Sequence, residues 1–242
     1  MGGCQSYSGA AETDGTPTLT AQGNAHSGNL SDVTLLNLKN NNWQSPVCGE
    51  KKPYLHPECV SERIAPGTSD LLTFSALPHG LDHNEWLASN TISFFQLVNL
   101  ISSVLSELCT STSCPAATGP GDRVYFWTDE SGRKLKCSAP LYTDYALSYI
   151  QELLLDEDVF PVRTDAAFPS GFPFLVQKVF LLMFRTLAHL YSAHYPQLVA
   201  MEMHPHLNTV FTHLVLFCQS FNLLEPQETE PLQDLITALT NS

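Results

Sequence analysis

From residue 86 onward, apolar side chains recur at helical spacing. Trp86, Leu87, Phe94, Phe95, Val98, Ile101, Leu105 and Leu108 follow Asp82-His83-Asn84-Glu85, in which an acceptor side chain precedes a glutamate by three positions. That pattern is a capping box opening a long amphipathic helix. Pro115 to Gly121 breaks the period, and a short alternating stretch runs from Arg123 to Trp127. Asp129-Glu130-Ser131-Gly132 then separates it from Lys134 to Cys137, which predicts one β-hairpin. The 3.6-residue period returns over Tyr142 to Leu155, Phe174 to about Tyr195, His204 to about Leu223 with Pro205 at its first position, and Glu228 to Leu239 with Pro231 in its first turn. The pattern predicts a mostly α protein, a helix bundle carrying one small hairpin, without internal repeats.

Residues 1–50 read differently. Gly, Ser, Thr and Asn dominate, and Leu30, Val33, Leu35, Leu36, Leu38 and Trp43 are too few to offset the entropy of ordering the segment. A disordered tail is expected there. Over 51–70, Pro53, Tyr54, Leu55, Pro57 and Ile64 predict an extended arm laid against a folded body that spans 71–242. Phe174 to Tyr195 is the most apolar stretch, but Gln177, Lys178, Arg185 and His189 interrupt it before the roughly 18 uncharged residues of a membrane span, so a soluble protein is expected.

The chain carries 24 acidic and 11 basic residues, a net charge of −13, and residues 71–242 hold 17 of the acids against 7 of the bases. Such a surface repels nucleic-acid phosphates and anionic lipid and attracts a basic peptide. Seven cysteines in a chain of 242 residues with no apolar secretory leader point to a reducing compartment, where Cys pairs are first read as metal ligands. Met1-Gly2-Gly3-Cys4-Gln5-Ser6 fits the N-myristoylation pattern, with Cys4 placed for a second acyl chain. An acylated membrane anchor at Gly2 and Cys4 and an unmodified tail are the alternatives.

Cys109 and Cys114 stand in C-x4-C spacing where the long helix gives way to a loop; His189 and His194 stand in H-x4-H spacing near the end of a later helix. Two thiolates and two imidazoles complete the tetrahedral shell of structural zinc. Residues five apart on a helix are rotated by about 140°, so His194 has to sit at or beyond the helix end to share a ligand face with His189. On spacing alone the alternatives are a zinc site and two half-buried helix histidines. A filled shell leaves no position for water, so zinc held there would be structural. Asp156-Glu157-Asp158 reads as a solvated helix end. There is no Gly-rich phosphate loop, nucleophile elbow or H-E-x-x-H helix.

Taken in order, LPHGLDHNEWLASNT from Leu77, CTSTSCP from Cys109, KCSAP from Lys136, DEDVFP from Asp156, LAHLYSAHY from Leu187, HLNT from His206 and FNLLEP from Phe221 resemble the Mob/phocein family of kinase activators over nearly all of residues 71–242. The resemblance implies a helical bundle with a small hairpin, structural Zn2+ on Cys109, Cys114, His189 and His194, and no catalytic activity. It also implies binding of the basic amino-terminal regulatory segment of NDR-type AGC kinases through Asp82, Glu85, Trp86, Ser89, Phe160 and His213. Asp82 and Glu85 are equally a capping box, and Trp86 and Phe160 equally core.

NEWLASNT, DEDVFP, FNLLEP and KKPYL, with Leu81 and Ser93 where the activating paralogue is acidic, resemble a branch that competes with that paralogue for its kinase. Where the activating paralogue places three basic residues for a phosphothreonine peptide, this chain has Leu181, Leu182 and Arg185, which implies weak or absent phosphopeptide docking. The family also implies cytoplasmic and nuclear placement, and its phocein branch offers the alternative of a membrane-tethered scaffold of kinase and phosphatase complexes.

Overall fold

A computed structural model describes residues 52–64, 67–163 and 166–241, all within the compact unit Asn42–Ser242. The tail expected over 1–50, with Gly2 and Cys4, lies outside the described residues. The helices are α1 (Pro57–Ser61), α2 (Thr68–Ser75), α3 (His83–Val104), α4 (Ala139–Leu155), α5 (Phe172–Ala193), α6 (Tyr195–Ala200), α7 (His204–Phe221), α8 (Pro226–Thr229) and α9 (Gln233–Thr240). The strands are β1 (Thr118–Gly119), β2 (Arg123–Val124), β3 (Phe126–Thr128) and β4 (Lys134–Lys136).

Helix α5 is the axis of the core. It is buried on nearly every side, and α3, α4, α7 and β1 pack around it. An aromatic layer joins the helices: Phe180 lies edge-on to Phe94 of α3 and stacks on Phe217 of α7, and Tyr191 meets Phe211 edge-on at 5.0 Å. Tilted and T-shaped ring contacts of this kind add to the stabilisation from area burial. Both α3 and α5 are long and apolar enough to cross a membrane, each with mean hydropathy 1.2. The polar residues that interrupt α5 therefore do not take it below that limit; here the two helices pack on each other.

The predicted capping box holds at its first half. The Asp82 carboxylate accepts from the Asn84 and Glu85 amides at 2.8 and 3.2 Å, which satisfies two of the donors left free at the start of α3. At the far end of α7, Asn222 closes the helix in the left-handed conformation with φ 52°.

Three elements differ from expectation. The arm is not extended: Pro53 and Pro57 start a 3-10 turn and α1, and Thr68–Ser75 is helical, because proline at a first helical position nucleates a turn as readily as it ends one. The strand pairs among the described residues are two, not one. β3 and β4 form the predicted hairpin, with Trp127 opposite Leu135, while β1 and β2 pair across a reversal at Gly121 and Asp122, both at positive φ. A ladder two residues long has no alternation to read. The carboxy-terminal segment is divided into α8, a 3-10 turn at Glu230–Leu232, and α9.

Candidate metal centre and acidic face

The end of α3 and the end of α5 meet at a cluster of two cysteines and two histidines. Beyond α3 the chain turns through Cys109-Thr110-Ser111-Thr112-Ser113-Cys114. Reciprocal bonds close the turn: the Thr110 amide donates to Ser113 Oγ at 2.9 Å, and the Ser113 amide to Thr110 Oγ1 at 3.1 Å. Such local side-chain bonds fix a non-helical loop that helical propensity alone would not. Both sulfurs are thereby held inward, with Cys114 buried.

From the other side, His189 lies in the last turns of α5. His194 is its C-cap, at φ −128°, ψ 9°, before Pro196 starts α6. The break at His194 is the departure from helical rotation that the H-x4-H spacing requires. Cys109 Sγ stands 3.5 Å from His189 Nε2, and Cys114 Sγ 3.3 Å from His194 Nε2. The four ligand atoms all lie within 4.8 Å of one another. Ligands at the usual zinc–sulfur and zinc–nitrogen lengths, on tetrahedral axes, stand about 3.5 Å apart, so the spacing suits one small ion.

The surroundings fit a metal as well. His189 Nδ1 donates to the Thr118 carbonyl at 2.8 Å, which fixes its tautomer and turns Nε2 toward the sulfurs. That carbonyl is delivered by β1, whose close approach depends on Gly119: a Cβ there would overlap the Tyr125 hydroxyl. Burial, and then the neighbouring His189, push the His194 imidazole down to about 4, and burial lowers His189 too, so both rings are neutral and able to ligate at neutral pH. Burial and the adjacent Cys114 push the Cys109 thiol up to about 12. A divalent cation offsets that cost by stabilising both thiolates, and two thiolates with two neutral imidazoles leave the site uncharged. The set can hold a metal ion; all four ligands come from the protein.

The remaining predicted site residues fall into two groups. Asp82, Glu85, Trp86 and Ser89 occupy the N-cap and first two turns of α3; Asp82, Glu85 and Ser89 are exposed and Trp86 is half-buried. The indole of Trp86 donates to the Ser75 carbonyl at 3.3 Å, which ties α3 to the end of α2. His213 reaches the same helix from α7, its ring 4.7 Å from Phe94, and it is half-buried with Nε2 unpartnered. Phe160 is elsewhere. It is 7 % exposed and packs edge-on against Phe172 at the start of α5, so its ring serves the core and offers little surface. An aromatic beside acids in DEDVFP gives no sign of which way it points.

Arg185 has a partner that its isolated position in sequence conceals. Its guanidinium grips the Glu228 carboxylate through Nη2 and Nε at 2.8 and 3.3 Å, both side chains mostly buried. Arg123 approaches the same carboxylate at 3.6 Å.

The chain is thus a mostly helical domain that carries a largely buried Cys2His2 cluster, with acidic residues opening its first long helix. Residues 63–232 match the model of the Mob1/phocein family, and the chain belongs to that family. It is 43 % identical to MOB kinase activator 2 of Mus musculus over 201 residues, 83 % of this chain and 84 % of the mouse protein. It is 44 % identical to MOB kinase activator 2 of Homo sapiens over 198 residues, 82 % of each chain. Over 196 residues it is 38 % identical to MOB kinase activator-like 1 homolog B of Dictyostelium discoideum, covering 80 % of this chain and 89 % of that protein.

Proposed function

We propose that the chain is a non-catalytic regulatory adaptor that binds the basic amino-terminal segment of an NDR-type serine/threonine kinase, in competition with the activating paralogue, on a scaffold stapled by structural zinc. The observation that carries this reading is the exposed start of α3. Glu85 and Ser89 are presented one turn apart, beside Trp86 and the exposed apolar side chains Leu77 and Leu81. Family membership and names such as MOB kinase activator 2 supply the kinase. Carboxylates beside apolar surface suit a basic amphipathic segment, and charge pairing of this kind governs on-rate and salt dependence. Asp82 is already engaged in capping, so Glu85 carries more of the recognition. Phe160 acts, on this reading, only by supporting the fold.

The test is a titration of a peptide spanning the basic amino-terminal segment of such a kinase. The wild-type chain should bind, and rising salt should weaken binding. Glu85→Lys, with the fold intact, should weaken it about 30- to 100-fold, since reversing a charge at an interface both removes an attraction and adds a repulsion. Equal affinity in the two proteins, or indifference to salt, would sink the proposal.

Arg185 bears on a second partner. With its fork taken by Glu228 and with Leu181 and Leu182 beside it, the position offers little to a phosphate, whose capture draws on several free charged donors together. A phosphothreonine peptide should therefore bind no better than its unphosphorylated twin. A clear preference for the phosphopeptide would show that Glu228 yields.

A further inference from the structure

We propose that the cleft between the β3–β4 hairpin and α4 binds a lysine side chain of a partner protein. This site lies apart from the opening of α3 and does not depend on the kinase reading. The cleft encloses about 680 Å³. Its floor is a continuous aromatic cluster: Trp127 of β3 lies 5.6 Å from Tyr145 and 6.2 Å from Tyr149 of α4, centroid to centroid. Its walls are acidic. Asp129 and Glu130 enter from the hairpin turn and Glu152 from α4. Asp129 is committed to the turn, where its carboxylate accepts from the Ser131 hydroxyl and amide and the Arg133 amide. Neither Glu130 nor Glu152 forms an ion pair among the described residues.

Aromatic packing alone accounts for Trp127, which is half-buried against the core. It does not account for two carboxylates without ion-pair partners lining the same cleft as exposed ring surface, Tyr145 being 37 % exposed. The chain itself shows what the surface accepts. The Lys178 ammonium, reaching over from α5, sits 4.0 Å from the centre of the Tyr149 ring. Cations are drawn to such ring faces by the quadrupole, and carboxylates at the rim strengthen the attraction. Arg133 Nε pairs with Asp129 at 3.4 Å, and Glu130 and Glu152 counted against Lys178 leave the lining one charge negative, so one internal lysine does not satisfy it. The Trp127 plane is inclined to Tyr145 and Tyr149 by 46° and 73°, so the rings offer no parallel slot for a planar guanidinium, and the cation already seated is a compact ammonium. Lys178 therefore acts as an internal competitor that an incoming lysine displaces from Tyr149 or joins beside it.

The experiment follows the Trp127 indole N–H resonance while Ac-Gly-Lys-Gly-NH2 is titrated into the full chain. Saturable shifts are expected with the lysine peptide and none with its norleucine counterpart. Lys178→Met keeps the aliphatic stem and removes the competing charge, and should tighten binding by about two- to fivefold. Glu152→Gln, at an exposed position that does not endanger folding, should weaken it by a similar factor. Glu85→Lys should change nothing, which separates this site from the proposed kinase face. Equal shifts with the norleucine peptide, or a Lys178→Met protein that binds no tighter than wild type, would overturn the assignment.

Discussion

On the proposed zinc reading, stripping the ion from the Cys2His2 cluster with a chelator is expected to lower Tm by about 10–20 °C, at roughly 2–4 °C per kcal/mol for a domain of this size and a loss of about 5 kcal/mol. The site joins the loop after α3 to the end of α5, two segments 80 residues apart in sequence at both close Cys–His pairs. Without a cation, the Cys109 thiol, pushed up by burial, keeps its proton and the four ligand atoms lose the attraction that gathers them. The aromatic layer of Phe94, Phe180 and Phe217 lies further along α3 and α5, so secondary structure should outlast the loss of the centre. Zinc-finger peptides, which depend on the metal for nearly all their stability, unfold outright; a domain with a core of its own should lose part.

Cys109→Ser should reproduce the chelated Tm, and the chelator should then have no further effect on the variant. That pairing separates metal loss from a nonspecific action of the chelator. A chain freed of all measurable metal that melts within a few degrees of the untreated protein would remove the staple from the account. The same would follow from Cys109→Ser retaining a full equivalent of zinc.

How much of this was legible beforehand depends on whether side chains or backbone carry the information. The long helices announce themselves because each buries one face on α5, and burial imposes the 3.6-residue period. Asp82 is legible because capping takes place within three residues of the sequence. The four candidate metal ligands are legible as residue types, and the rotation argument even places His194 at the helix end. What fixes them is not. The Thr118 carbonyl that orients His189 is backbone, identical in every residue type, and is brought there by a two-residue strand with no pattern of its own. Glu228 lies 43 residues from Arg185 in a segment that reads only as an acidic helix start, so nothing local marks it as the partner. Phe160 and Trp86 show the converse limit. An aromatic in a motif signals that the position matters, and only tertiary packing decides whether the ring faces the core or a partner. The arm reads as extended in sequence because proline both breaks and begins helices, and the deciding contacts come from elsewhere in the chain.

Asn208→Leu should destabilise the protein by about 3–5 kcal/mol and free the arm, because one buried amide holds three partners. Asn208 is 1 % exposed in α7. Its Oδ1 accepts from the Tyr191 hydroxyl at 2.8 Å, while Nδ2 donates to the carbonyls of Cys59 and Glu62 at 2.8 and 3.1 Å. Those two carbonyls belong to the end of α1, where a helix leaves acceptors without partners of its own. The amide therefore caps a helix it does not belong to, and anchors it to the core helix through Tyr191. Leucine keeps the branched heavy-atom skeleton of asparagine and is not smaller, so the expected loss comes from stranded polar groups and not from a cavity. Each buried donor or acceptor left unpaired costs about 1–3 kcal/mol, with the carbonyls free to recover water if the arm lifts. The rest of the arm's anchorage is spread along it, Tyr54 lying edge-on to Tyr191 and Tyr195 at 5.6 and 6.0 Å, Lys52 pairing with Asp234, Glu62 meeting His204 at 2.9 Å and the Arg63 guanidinium donating to the Leu239 carbonyl, and these should not hold the end of α1 as tightly without the amide. Denaturant unfolding should show the loss in stability, and limited proteolysis under native conditions should cut the variant first within 52–64. Tyr191→Phe tests the coupling: it removes one partner alone, and in the double variant its cost should largely disappear, since Asn208 is no longer there to be stranded. Strict additivity of the two substitutions, or an Asn208→Leu chain within about 1 kcal/mol of wild type, would show that the arm is held by its other contacts and that the amide is incidental.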